Sequence, residues 1–485
     1  MQGMSLVSFS LYRKIFNFNI SKGVRKVINN KFFKCGLVSL SVFAMPLNAA
    51  GLGGFSELQI NSEAFVRDTC GGLASRQTRN TQQQDLFVAC RSMVQSANEL
   101  TGSGGTDFSR GLSASELAGG YQNIISEETF APLTISAQAS LSQFSSILSH
   151  LNKIRRGSGS SVMAAFNPDG KSFDLADAKS GYSRGGAAGD NDFLSSNRLG
   201  FFVNTIGGFG ETDRTEKENA SDFHTIGMVA GIDYRVLDNL TIGIAGGYSH
   251  LDLDFAQNRD VGGGGLEADN YNISAYSTFY AGDFYVDGIF TYGWSDYDIE
   301  RKILVASNTA VSAFNRTAFA SPEGEQFSGS LAAGYNFHTG SFTYGPYVRI
   351  NYLNASIDGY SENGAQGLDL RVADQEVDSL ESIVGAQFSY AFSQSFGIIV
   401  PHFRIEWHHE YFDNARAFSI SYVNDPNNNT LNLQSERLDG DFFNIGVGVS
   451  ADFQGGVQAF LDYETVLELK NVESHVFTAG LRMEF

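Results

Sequence analysis

Of the last ten residues, 476–485, the nine from Phe477 onward alternate strictly. Phe477, Ala479, Leu481, Met483 and Phe485 are apolar, and Thr478, Gly480, Arg482 and Glu484 between them are polar or small. A period of two is a strand with one greasy and one polar face. About ten such residues suit a strand that spans a bilayer, lipid outside and a wet lumen inside. The parity recurs. Phe443, Ile445, Val447, Val449, Ala451 and Phe453 alternate with Asn444, Gly446, Gly448, Ser450 and Asp452. Val457 to Thr465, Ile399 to Tyr411 and Phe284 to Trp294 behave alike, and similar runs begin near Leu199, Phe223, Leu240, Tyr271, Phe327, Phe342 and Leu380. Twelve strands are predicted between about 199 and 485.

Their connections alternate short and long. Short ones fall at 236–239, 281–283, 338–341, 392–395 and 454–456; long ones fall at 211–221, 256–267, 299–325, 356–378 and 412–440. Short turns at one rim and long loops at the other is the outer-membrane arrangement. An even strand number returns both ends of the barrel to the short-turn, periplasmic rim. The 40 Phe and 20 Tyr suit aromatic girdles, and the 53 Gly suit a crowded lumen. No run of 18 apolar residues exists, so spanning by a helix is excluded. A net charge of −20 argues against nucleic acid. Pro346 and Pro401 fall near the starts of their strands, where a missing donor costs least.

At the other end, Lys22, Arg25, Lys26, Lys31 and Lys34 precede the apolar stretch Cys35 to Leu47 and the small residues Ala49 and Ala50. Residues 1–49 therefore read as a secretory signal. Two cysteines, Cys70 and Cys90, remain in the exported chain. An even pair in an oxidising compartment is usually bridged, closing a loop of 19 residues. Two free buried thiols is the alternative; no His lies nearby to favour a metal. Gln82 to Val94 reads as a helix, and Ser113-Ala114-Ser115-Glu116 as a capping box opening another. From Ile135 to Arg156, Leu141, Phe144, Leu148 and Leu151 keep helical spacing. Those 22 residues span about 33 Å. Residues 158–197 are Gly-, Ser- and Asp-rich and read as linker.

The barrel region resembles the autotransporter (type V secretion) β-domain. The resemblance is carried by Arg198-Leu199-Gly200-Phe201-Phe202, Gly231-Ile232-Asp233-Tyr234, Gly246-Gly247-Tyr248-Ser249, Phe284-Tyr285-Val286-Asp287-Gly288, the segment Gly345 to Tyr352, Ile357 to Glu362, and the terminal Ala479 to Phe485. It implies an all-β fold: a 12-stranded antiparallel transmembrane β-barrel over 198–485, threaded by an α-helix at 133–157. It further implies a passenger, here a short helical one at 50–132. Outer-membrane lipid and lipopolysaccharide are the expected surroundings. The barrel assembly machinery is the expected partner, reading the C-terminal aromatic Phe485.

Two departures stand out. The passenger is short and without repeats. The neighbours of Asn152 (His150, Leu151, Lys153 and Ile154) do not resemble the site at which some relatives release theirs, so no release is expected. Lys153, Arg155 and Arg156 are placed to meet acidic lumen groups such as Glu406, Asp462 or Glu464. The inward set is Arg349, Arg404, Glu406, Asp462, Glu464 and Arg482, joined on one strand by His402, His408 and Glu410. A polar lumen is the default for such residues, so no catalytic, cofactor or metal role is assigned. The lipase passengers of some relatives carry Gly-Asp-Ser-Leu; here Gly189-Asp190-Asn191-Asp192 lacks the serine. Two other readings remain: a surface barrel whose long loops bind a host or neighbouring-cell ligand, and a plugged porin-like channel.

Overall fold

Alternation of small or polar inward residues with large apolar outward ones lets a sheet close on itself without an edge. The computed structural model describes residues 55–125, 131–158, 165–166, 172–173, 198–215, 217–256, 263–435, 437, 439–453 and 457–484. The chain divides into Met1–Asn48 and Ala49–Phe485. The expected signal segment, most of the expected linker and Phe485 lie outside the described residues.

The barrel strands are β1 (Leu199–Thr212), β2 (Ser221–Leu237), β3 (Leu240–Phe255), β4 (Gly264–Ala281), β5 (Phe284–Val305), β6 (Glu323–Tyr335), β7 (Phe342–Ile357), β8 (Gln375–Tyr390), β9 (Gly397–Glu410), β10 (Asp441–Phe453), β11 (Val457–Leu467) and β12 (Val472–Glu484). Each pairs antiparallel with its sequence neighbours. The last strand closes on the first, from Val472↔Thr212 to Glu484↔Gly200.

Outward side chains mark where lipid begins and ends. Along β5, exposed Phe284, Phe290, Tyr292 and Trp294 give way to exposed Asp296 and Asp298. The same change occurs from Tyr248 to Asp252 and Asp254 on β3, and from Leu331 and Phe327 to Glu325 and Glu323 on β6. Tyr248, Tyr271 and Trp294 touch ring to ring at that boundary, with centroids 5.3 and 6.0 Å apart. Aromatic rings at the interface, with carboxylates beyond, are what a headgroup layer selects. His250, Asp252 and Glu267 cluster within this belt, as solvated side chains on its outer face.

Several strands therefore continue past the membrane at the long-loop rim. The segment expected as loop at 299–325 is mostly strand: β5 runs to Val305 and pairs with Phe314–Ala320. Two other long loops join in a four-stranded antiparallel sheet of Tyr360–Ser361, Leu370–Val372, Ala417–Tyr422 and Leu431–Gln434.

The N-terminal part is helical: α1 (Glu57–Ala74), α2 (Thr81–Thr101), α3 (Ala114–Ile125) and α4 (Ala131–Ser158). Helix α1 was missed in the sequence. Its start is nonetheless a full capping box, Ser56 with Gln59, and α2 opens on another, Asn80 with Gln83. At α3 the Glu116 amide donates to Ser113 Oγ at 3.3 Å and the Ser113 amide to Glu116 at 2.9 Å.

Candidate functional site

Two arrangements carry functional information: the helix within the barrel, and the cap on its long-loop rim. Helix α4 contacts strands around the closed barrel, among them β1, β4, β5 and β7. Its buried Phe144, Ile147, Leu148, Leu151 and Ile154 pack on Phe202, Ile206, Val229, Ala245, Tyr276 and Ile289 of the strands. Polar residues on its other sides meet the inward polar faces. Gln143 donates to Ser274 at 3.2 Å, and Ser145 to Glu464 at 2.6 Å. Asn204 donates to Ser146 Oγ at 2.9 Å.

Charged groups lock the lower part of the helix. His150 lies 3.0 Å from Asp233, and Lys153 3.8 Å from Asp462. Lys153 Nζ also sits 2.8 Å from the centre of the Phe460 ring. Arg155 pairs with Asp287 and stacks 3.9 Å over Tyr285. The side chain of Arg156 lies outside the described residues. Buried charges of this kind persist only when paired.

The inward charges form two linked networks. In one, Glu406 accepts from Arg349 at 3.0 Å and from the Tyr347 hydroxyl at 2.6 Å, with Arg404 3.8 Å away. Arg404 also pairs with Glu464. His408 lies 3.3 Å from Glu406, and His402 2.8 Å from Asp462. Glu410 instead accepts from the Leu380 amide at 3.0 Å. Glu406 and Glu464 thus meet strand arginines, whereas Arg155 of the helix meets Asp287.

The second network crosses the barrel seam. Arg482 on β12 donates to Asp233 on β2 at 3.0 Å, passing over β1. Glu484 accepts from Arg482 at 2.6 Å and from Arg235 at 3.3 Å. The strand between carries Gly200; a Cβ there would stand 2.5 Å from Asp233 and 2.8 Å from Arg482. A side chain at 200 would therefore displace the clasp. Beside the helix remains a cavity of about 30 Å³ bordered by Asn152, Lys153, His402, Asp462 and Glu464, room for about one water.

Sequence reasoning missed His150, Asp233 and Asp287 as partners. Asp233 and Asp287 were visible as carboxylates at inward parity. What parity lacks is the axial level at which a helix side chain meets them.

The cap is built from α1, α2 and α3. Phe65, Val66, Leu73, Leu86, Met93, Leu117 and Tyr121 share one core with Ile303, Val305 and Phe314 of the β5 hairpin and Leu370, Ile420, Tyr422 and Leu433 of the small sheet. Phe65 stacks on Tyr422 with centroids 5.0 Å apart. Asp85 of α2 accepts from Arg316 at 2.8 Å and from the Gly367 amide at 3.0 Å. At Gly367 the loop backbone touches the helix: a Cβ there would lie 2.3 Å from the Leu86 nitrogen.

Cys70 and Cys90 are buried in this core as two free thiols, and Cys90 Sγ donates to the Phe87 carbonyl at 3.4 Å. The bridge expected from the sequence is therefore not formed in this structure, although the helices hold the sulfurs as neighbours. The neighbouring Cys90 side chain, with Arg91 and Arg79 close by, holds the Cys70 thiol below its ordinary value; burial pushes Cys90 up.

A family model described as the autotransporter β-domain matches residues 201–464. Esterase EstA of Pseudomonas aeruginosa is 24% identical over 247 residues, 49% of this chain and 36% of that protein. An extracellular serine protease of Serratia marcescens is 20% identical over 59% of this chain and 26% of its own length. The chain thus spans about a third of the curated relatives it matches. Among solved structures, the translocator domain of autotransporter NalP from Neisseria meningitidis is 17% identical, with a TM-score of 0.46 over 61% of this chain and 91% of that one. The β-domain of the Bordetella autotransporter Brka gives 17% and 0.42, over 59% and 100%. With its model matched across more than half of the chain, and with a closed 12-stranded barrel in place, this protein belongs to the autotransporter β-domain family and is a translocator barrel of the bacterial outer membrane.

Proposed function

We propose that this barrel anchors and displays its own short N-terminal segment, 50–132, as a folded cap at the cell surface. The observation that carries the reading is the shared core. The apolar faces of α1–α3 are completed by side chains from the long-loop rim, the rim that faces outward in this architecture. Helix α4, within the candidate lumen segment 133–157, is the connection the segment leaves behind in the barrel after passage. Its ion pairs to Asp233, Asp287 and Asp462 hold it there, which fits a segment that is retained rather than released.

Supporting roles follow from the same reading. Residues 1–49 direct export, and the barrel assembly machinery inserts the strands. Cys70 and Cys90 become a disulfide once the cap meets an oxidising medium, closing α1 onto α2. No catalytic role is assigned to the cap or the lumen. The reading of the long loops as free ligand-binding arms is disfavoured because two of them are spent on the sheet beneath the helices. A plugged channel is compatible with α4, but it leaves the cap without a purpose.

The test is an epitope inserted at Gly104, in the exposed turn after α2. Antibody should reach it in intact cells. Staining only after the outer membrane is permeabilised would refute display.

A further inference from the structure

At the edge of the cap core, where Phe87 packs against it, two arginines and two aromatic rings interleave. Arg79 precedes the N-cap of α2, and Phe87 and Arg91 lie one turn apart on that helix. Phe108 follows in the next loop, its amide donating to Gln95 at 2.6 Å. The four side chains form a ladder. The Arg79 guanidinium lies 4.0 Å from the centre of the Phe87 ring. The Arg91 guanidinium lies 5.2 Å from that ring and 3.6 Å from the ring of Phe108. Phe108 is 41% exposed.

Neither guanidinium has a carboxylate partner among the described residues, and both Nε donors are covered without an acceptor. The buried arginines of the cap and its seat are satisfied: Arg110 by Ser92 and the Ser312 carbonyl, Arg301 by Glu362, and the part-buried Arg316 by Asp85. Two unneutralised arginines set over one ring are conspicuous in a chain of net charge −20. Like charges side by side repel. Cation–π contact orients each plane at about 0.5–1 kcal/mol when exposed, without cancelling its charge. What remains is a pair of pre-oriented forks, the geometry that takes phosphate or carboxylate bidentately, beside an exposed apolar ring.

We propose that Arg79 and Arg91, clamped on Phe87 and Phe108, bind the phosphate or carboxylate of an acidic saccharide, with Phe108 taking an apolar face of the sugar. The ligand is either a phosphorylated sugar of the cell's own lipopolysaccharide or a foreign polyuronate. Access from the medium rests on the display reading. Binding by purified protein does not, so the two can fail separately.

The test is calorimetric titration of the full chain in detergent with three probes: inorganic pyrophosphate, a phosphorylated lipopolysaccharide core oligosaccharide, and an oligogalacturonate. Wild type should bind at least one of the two saccharides, and which one identifies the source. The double variant Arg79→Gln/Arg91→Gln should weaken that binding at least tenfold. The pair Arg79→Lys/Arg91→Lys, which keeps charge but loses the fork, should fall between. Arg76→Gln, an exposed arginine off the ladder, should bind like wild type. Circular dichroism checks the fold, and the lysine pair decides if the glutamine pair misfolds. Three results would each overturn the site: no saccharide bound by wild type, undiminished binding by both double variants, or an equal loss in Arg76→Gln. Binding of pyrophosphate alone would overturn the saccharide class.

Discussion

Replacing Arg301 with Met should loosen the cap while leaving the barrel closed. Arg301 stands on β5 beyond the apolar band, its side chain 2% exposed. Its Nε donates to Glu362 at 2.8 Å, and Nη2 pairs with the second carboxylate oxygen and donates to the Leu368 carbonyl at 3.1 Å. Nη1 reaches the Asn123 and Ile124 carbonyls, at 3.4 and 3.5 Å, at the C-terminus of α3. One guanidinium therefore ties strand, loop and cap helix together, and it also meets the negative end of a helix. In Arg301→Met the Glu362 carboxylate stays buried with the Leu370 amide, 2.8 Å away, as its remaining donor here. Removing one partner of a buried pair costs about 3–5 kcal/mol. At about 1.4 kcal/mol per factor of ten, the equilibrium for cap opening should rise by roughly two to four powers of ten. Hydrogen exchange of residues 57–125 in purified protein reads this directly. Heat-modifiable migration should stay unchanged, because the lumen contacts are untouched. Arg301→Met/Glu362→Leu, which removes both charges, should recover at least half of the lost protection. Unaltered exchange in the single variant, or a double variant worse than the single, would refute the reasoning.

Other expectations follow from individual contacts. Gly200→Leu should break the Asp233–Arg482 clasp and reduce the fraction of closed, heat-modifiable barrel; Gly207→Leu, at a position with open space around a Cβ, should do so far less. Deleting 133–157 should turn a nearly silent protein into a conducting pore in planar bilayers; a large conductance in the intact chain would contradict the packing of α4. In oxidised protein Cys70 and Cys90 should resist maleimide, and reduction should cost the cap about 3 kcal/mol for a loop of this length. Before oxidation, the lower thiol value of Cys70 predicts that it is alkylated ahead of Cys90 at neutral pH; the reverse order, read by mass spectrometry, would contradict it.

Legibility divided along a physical line. The barrel was readable because lipid and lumen impose opposite polarity on successive residues: Phe443 and Val447 face out, Asp462 and Arg482 face in. Loop asymmetry was readable because chain length is. Strand ends were not: β5 continues eleven residues beyond Trp294, since past the membrane the outward face turns acidic and the apolar alternation stops signalling. Helix α1 was missed because its buried face includes Ser62, Glu63 and Thr69 beside Phe65 and Leu73, which blurs the apolar stripe. The lumen charges were visible at positions such as Arg349 and Glu406. Their pairing was not, because several carboxylates share the inward parity.

By itself the sequence determined the twelve strands, their facing, the two unequal rims and a helix over 133–157, all consequences of local period and spacing. Only the tertiary structure decided which carboxylates hold that helix. Only it showed that Arg482 clasps Asp233 across Gly200, and that the long loops fold into a sheet beneath α1–α3. Those outcomes depend on contacts between residues hundreds of positions apart, where geometry in three dimensions selects among partners that look alike along the chain.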